Sequence, residues 1–150
     1  MRRKEREITD LAEIEAIIDK SQVCRLGLID GDTPYVVPLS FGYKDRTVFF
    51  HTALKGHKLE LIHKNSRVCV EFDLVKELVK SYKICKWGFK YASVIGFGQA
   101  EILTDFKTQK TALDLIVKHY GATDYVFDQV VLTKTAVIKV TIDQMTGKAS

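Results

Sequence analysis

Val23-Cys-Arg-Leu-Gly-Leu-Ile29, Asp30-Gly31-Asp32, Pro34-Tyr-Val-Val-Pro-Leu-Ser-Phe-Gly-Tyr43, Lys44-Asp45-Arg46 and Thr47-Val-Phe-Phe-His-Thr52 follow one another with almost nothing between them. The first, third and fifth pieces are rich in β-branched and aromatic residues, and the second and fourth are turn sequences. Asp30-Gly31 is a two-residue hairpin signal, extended by Asp32. Three sequential strands joined by short turns predict an antiparallel meander. Pro38 removes a ladder donor from the middle of the second strand, so an edge, a bulge or a ligand is expected there.

Working outward, Thr9-Asp10 opens a helix, with Glu13 placed for a capping box and Leu11, Ile14, Ile17 and Ile18 on one stripe ending near Lys20. Gly56 begins a short helix with Leu59 and Ile62 inward, ended by Asn65-Ser66. Arg67–Asp73 reads as a fourth strand and Tyr91–Leu103 as a fifth, with Gly96 and Gly98 marking a bulge or a close backbone approach. Thr104-Asp105 caps a second long helix with Ala112, Leu113, Ile116, Val117 and Tyr120 on its apolar face and Gly121 at C′. Asp124–Leu132 is expected to form a short helix, and Thr135–Ile142 is the last strand. The tail from Thr146 is small and polar and is expected to fray. Residues 74–90 read as an irregular excursion, with helical spacing of Val75, Leu78, Val79 and Tyr82 among five lysines. The sum is an α+β protein: a six-stranded antiparallel barrel, its sheet closed, with flanking helices.

The 150 residues, 46% hydrophobic and 28% charged, suit one domain spanning 1–150 with no need of a disulfide or metal staple. No apolar run approaches the ~20 residues of a membrane span. Met1-Arg2-Arg3-Lys4 looks like the start of a signal peptide, but Glu5, Arg6, Glu7 and Asp10 follow, so a cytoplasmic protein with no membrane partner is expected. Cys24, Cys69 and Cys85 form no C-x-x-C pair and read as free thiols, the first two buried in strands. The net charge of +4 permits an anionic ligand or a weak nucleic-acid contact and demands neither.

The chemistry is richest in Phe50-His-Thr-Ala-Leu-Lys-Gly-His-Lys58, which runs from a strand end into a helix N-terminus. Helix-start amides favour an anion, Gly56 allows close approach, and Thr52, Lys55, His57 and Lys58 add donors. A phosphate site and a plain charged helix start both fit. His51 alone reads as a structural histidine, and His63 and His119 as surface residues. No histidine pair has metal-ligand spacing, and no metal site is expected. No nucleophile elbow, Walker loop or Rossmann fingerprint occurs. The lysines of 76–90 with Tyr82, Trp87, Phe89 and Tyr91 could serve a single strand of nucleic acid, a lid over an aromatic ligand, or a solvated face.

Assembled in order, Met1-Arg-Arg-Lys4, Cys24-Arg-Leu-Gly-Leu28, Pro34–Tyr43, Phe50–Lys58, Val68-Cys-Val-Glu-Phe-Asp73, Cys85-x-Trp87 and Tyr91-x-Ser-Val-Ile-Gly-Phe-Gly98 resemble the pyridoxamine-phosphate-oxidase-like FMN-binding split barrels, above all the small nitroimidazole-resistance (Nim-type) flavoproteins. The resemblance implies a homodimer with FMN at the subunit interface. Val37, Pro38, Leu39 and Ser40 would lie along the isoalloxazine edge through their backbone. His51, Thr52 and Ala53 would border the ring and ribityl chain. Lys58, with His57 and Gly56, would hold the phosphate, and Trp87, Tyr91 and Ser93 would come from the partner or cover the site. His51 would touch substrate or deliver a proton, and the flavin would carry the electrons to a small nitroaromatic or related acceptor. His57 stands where many relatives carry Arg, and the longer arginine-bearing C-terminal segment of true pyridoxamine-phosphate oxidases is missing, which argues against vitamin B6 as substrate. A non-catalytic flavin or haem binding protein of the same barrel is the alternative reading, and nucleic acid is not expected as a partner.

Overall fold

The computed structural model describes residues 3–150. Met1 and Arg2, part of the first matching stretch above, lie outside the described residues. In chain order the elements are β1 (Glu7–Ile8), α1 (Leu11–Lys20), β2 (Cys24–Asp30), β3 (Thr33–Leu39), β4 (Gly42–Lys44), β5 (Thr47–Ala53), α2 (His57–Lys64), β6 (Arg67–Val79), β7 (Gly88–Leu103), α3 (Phe106–His119), α4 (Gln129–Thr133) and β8 (Thr135–Ala149). Single 3-10 turns precede β1 and sit at Ile84–Lys86.

The strands form one antiparallel sheet in the order β3-β2-β6-β7-β8-β5-β4, with β1 added on β8. The path ends at β3 and β4, which share no ladder among the described residues, so the barrel is split there rather than closed. Eight strands replace the six expected. Two-residue β1 is too short to leave a periodic signal, and the expected strand 34–43 divides in two. The chain leaves the sheet at Ser40-Phe41 because Phe41 turns into the core, fully buried, where its N–H donates to the Tyr120 hydroxyl at 3.1 Å. Gly42–Lys44 then pairs with β5 instead.

Local chemistry explains the turns. Gly31 and Asp32 alone close the first hairpin, since Asp30 already pairs with Thr33, and Gly31 has the positive φ (65°) such a turn requires. The second hairpin places Asp45 and Arg46 both at positive φ (49° and 58°) with no glycine. Asp10 caps α1 by accepting from the Glu13 N–H at 2.9 Å, and Asp105 caps α3 by accepting from Thr108.

The core lies inside the sheet. Leu26, Val48, Phe50, Val70, Phe72, Val94, Ile138 and Val140 point inward, and α1 covers one mouth with Ile14, Ile17 and Ile18. Each such side chain contributes roughly 1.5–3 kcal/mol when fully buried. A smaller core forms on the outer face, where Ala112, Leu113 and Ile116 of α3 pack on Val137 with Phe49 at the rim.

Pro38 sits on β3, an edge strand, opposite Arg25. Pro34 and Pro38 have the same parity, so both missing N–H groups face the open edge, while Tyr35, Val37 and Leu39 make the ladder bonds to β2. Residues 74–90 are not irregular. β6 and β7 run on beyond the barrel as a two-stranded ribbon, with one register shift between Val75 and Glu77. The helical spacing misled because a projecting ribbon exposes both faces. Five lysines against one glutamate place the equivalent of the chain's whole net charge of +4 in this ribbon. The tail from Thr146 also stays ordered, paired with β7 and, at Gly147 and Lys148, with β1.

Candidate functional site

β5 ends at Ala53, and the chain turns through Leu54 and Lys55 into α2. Strand alternation puts Thr52 inside, 8% exposed, and His51 and Ala53 outside. His51 is exposed, and its imidazole makes no hydrogen bond or ion pair among the described residues. Gly56 is the N-cap of α2, at φ 149°, and has no side chain with which to cap it. Its carbonyl accepts from Leu59 and Glu60, so the amides of His57 and Lys58 have no partner within the helix. Around Gly56 a Cβ would meet nothing within 4 Å. α1 and α3 are capped by aspartates, whereas this helix start is open, glycine-lined and flanked by Lys55 and Lys58. That donor set fits a phosphomonoester. A hollow of about 450 Å³ adjoins it, lined by Leu54, Lys55, Gly56, Leu59, His63 and Gln109 among others.

His57 faces a different way. Its Nε2 lies 2.8 Å from Asp30 Oδ2 and its Nδ1 3.6 Å from Glu60 Oε2, with its ring edge-on to Tyr35 at 5.2 Å between centroids. The structure thereby brings the tip of the β2–β3 hairpin to the start of α2. Val37 and Leu39 are partly buried against the core, while Pro38 and Ser40 are exposed. By the parity of β3, the main-chain groups turned to the open edge belong to Val36 and Pro38, and those of Val37 and Leu39 turn to β2.

Tyr91 and Ser93 lie elsewhere in the single chain. With Val36, Cys69, Phe89 and Phe97 they line a cleft of about 970 Å³ on the outer face of β2, β3, β6 and β7, to which none of residues 37–58 contributes. The Lys148 ammonium, 5.7 Å from the Tyr91 ring centroid, lowers the pKa of that phenol by hydrogen bonding, assisted by Arg6. Arg25, bonded to Glu71 at 2.9 Å and to Asp73, borders the same cleft, and those carboxylates raise its pKa, Asp73 foremost. Trp87 stands on the ribbon, its Nε1–H donating to the Ser81 carbonyl at 2.7 Å and Lys80 Nζ 5.5 Å from its ring.

The expectations for the other candidates are partly revised. His119 is half-buried rather than a free surface residue: its Nε2 lies 2.7 Å from the Ser21 carbonyl and its ring packs on Phe41 at 4.2 Å. Asp30 and Tyr35 were missed. Asp30 carried a turn signal that explained it fully, and nothing local ties it to His57, 27 positions on. Among the described residues no group of three or more His, Cys, Asp or Glu could hold a metal ion, and no helix is long and apolar enough to cross a membrane.

Cys24 is buried, and desolvation pushes its thiol well above the usual value. Cys69 is half-buried and raised for the same reason, and Cys85 is exposed. A thiol reagent at neutral pH is therefore expected to modify Cys85 rapidly, Cys69 slowly and Cys24 only on unfolding. A rapid phase that survives in Cys85→Ser would contradict this order.

The split antiparallel barrel thus carries an open, lysine-flanked helix start directly after the end of a core strand. The chain belongs to the pyridoxamine 5'-phosphate oxidase family, whose model matches residues 10–149. It is 35% identical to a candidate 5-nitroimidazole antibiotic resistance protein of Bacteroides thetaiotaomicron, over 95% of this chain and 85% of that one, with a TM-score of 0.85. An FAD and haem binding protein of Mycobacterium smegmatis shares the fold at 18% identity, over 97% of this chain and 73% of that one, with a TM-score of 0.86. An FAD-binding protein of Mesorhizobium loti does so at 24% identity, over 97% of each chain, with a TM-score of 0.72. No curated protein sequence gives a significant match.

Proposed function

We propose that the protein is an FMN-dependent oxidoreductase that works as a homodimer and reduces a small nitroaromatic of the nitroimidazole type or a related acceptor. The observation that carries this reading is the open start of α2. Two amides without a partner among the described residues, beside Gly56 and Lys58, leave a phosphate to supply the acceptor oxygens that Asp10 and Asp105 supply to α1 and α3. The 35% identity to the nitroimidazole-resistance protein supports the acceptor class.

Bound FMN would supply the electrons. The chain's residues do the rest. The His57 and Lys58 amides, Lys58 and Lys55 hold the phosphate. The open edge of β3 at Pro38, continued by Ser40, lies along the ring, and Thr52 and Ala53 border it. His51, exposed and without a side-chain partner among the described residues, would give a proton to the acceptor. Tyr91 and Ser93, with Trp87 from the ribbon, approach from the partner subunit. A second copy has a surface to cover: Val36, Val75, Phe89, Ile95 and Phe97 all stand 43–66% exposed on the sheet's outer face and the ribbon base. A cytoplasmic location suits three unpaired thiols.

The same free imidazole of His51 favours one further reading, a haem or flavin binding protein without turnover. An absorption spectrum after gel filtration with added FMN, recorded with light scattering, separates them. Flavin bands on a particle of twice 17.0 kDa, with nitroimidazole reduction lost in His51→Ala while FMN is kept, are the expected result. A Soret band, or bound flavin without turnover, moves the protein to the second reading. A monomer that holds FMN overturns the interface site.

A further inference from the structure

We propose that the His57 side chain is a positioning group, which braces the start of α2 against the β2–β3 hairpin and sets the phosphate grip without its imidazole touching the phosphate. The inference rests on the FMN reading and assigns His57 a role different from that of Lys58. The two ring nitrogens of an imidazole point to opposite sides, and here each meets a carboxylate, Asp30 at 2.8 Å and Glu60 at 3.6 Å. The first is a hydrogen bond and the second an ion-pair distance. Tyr35, on β3, closes on the ring edge-on at 5.2 Å. Both nitrogens therefore face carboxylates of the chain, and neither is left for a phosphate.

The position of the contact gives it a function. Asp30 is the last residue of β2, beside the Gly31 turn that leads into β3. His57 is the first residue of α2, and its own amide is one of the two free donors. The bond from His57 to Asp30 thus fixes the distance between the open edge of β3 and the helix start, the two segments a phosphate-bearing ring compound must span. It also places the imidazole ring between two carboxylates that would otherwise stand beside a phosphate dianion.

The two roles predict opposite signs for one substitution. If His57 held the phosphate, Asp30→Ala would free it and remove a nearby negative charge, and FMN would bind as well or better. If His57 is a brace, Asp30→Ala and His57→Ala each weaken FMN by about three- to fivefold, the range of a half-exposed ion pair. The double variant is then no weaker than either single one. Riboflavin, which lacks the phosphate, binds all of them alike, a distinction that general loss of stability would not produce. His57→Gln, whose amide can still donate to Asp30, recovers most of the FMN affinity. Flavin fluorescence titrations give these values, and unchanged or tighter FMN binding in Asp30→Ala overturns the brace.

Failure of the FMN reading is a separate result: the unsubstituted protein binds neither flavin. The flavin-free protein still decides the brace through amide hydrogen exchange at Leu59 and Glu60. Exchange there is expected to quicken severalfold in both single variants, and unchanged exchange in either overturns the proposal.

Discussion

Gly98→Ala is expected to cost the protein about 3 kcal/mol or more, read as a fall in the urea midpoint with little change in slope. Gly98 lies where the ladder between β7 and β8 shifts register, after Phe97. The backbone of β8 crosses so close that an added Cβ would stand 2.1 Å from the Thr141 carbonyl oxygen and 2.9 Å from its carbon. Those are main-chain atoms of a core strand, so no side chain can swing aside. Gly96→Ala is the control. The nearest atoms to its Cβ would be methyl groups of Val70 and Ile142, at 3.0 and 3.2 Å, and about 1 kcal/mol is expected. Equal losses at the two positions would mean that the crossing at Gly98 relaxes, and the account of the bulge would fail.

The second large effect concerns Lys58. Lys58→Ala is expected to weaken FMN by about 10- to 100-fold, the worth of one or two hydrogen bonds to a charged group, and to leave riboflavin unaffected. Stability should hold, because Lys58 is on the first turn of α2 and has no ion-pair partner among the described residues. Loss of riboflavin together with FMN would place Lys58 at the ring, and no loss of either would remove α2 from the site. Lys58 and His57 are neighbours in sequence, so the contrast between their variants separates a ligand of the phosphate from the residue that aims it.

Features whose cause is local were legible from the chain alone. Asp10 and Glu13 announce α1, Gly31 announces the first hairpin, Pro38 announces an edge, a bulge or a ligand, and Gly56 announces a helix start. What escaped depended on partners distant in sequence. Phe41 carries no turn signal, and the sheet breaks there only because a pocket formed by Phe72 and the α3 end receives its ring. Thr146–Ala149 look like a loose tail, but β7 offers them a ladder as far as Ala92. The ribbon of 74–90 defeated periodicity because neither of its faces is buried in the chain. In the site, Gly56 and Lys58 were visible in one short segment. The tie from His57 to Asp30 was not, since each residue had a sufficient local explanation.

The paired prolines of β3 have a consequence for the crowded cell. Thr33-Pro-Tyr-Val-Val-Pro-Leu39 is apolar, extended and at the margin of its sheet, the kind of segment that recruits a strand from a neighbouring molecule and seeds fibrils. With Pro34 and Pro38 on that margin, a docking strand finds carbonyls at three successive outward positions and a donor only at Val36. An incoming ladder is broken on both sides of its one good pair. The two prolines therefore act as gatekeepers: they leave the margin able to receive a small ligand that needs one donor and a few acceptors, and make it a poor template for another chain.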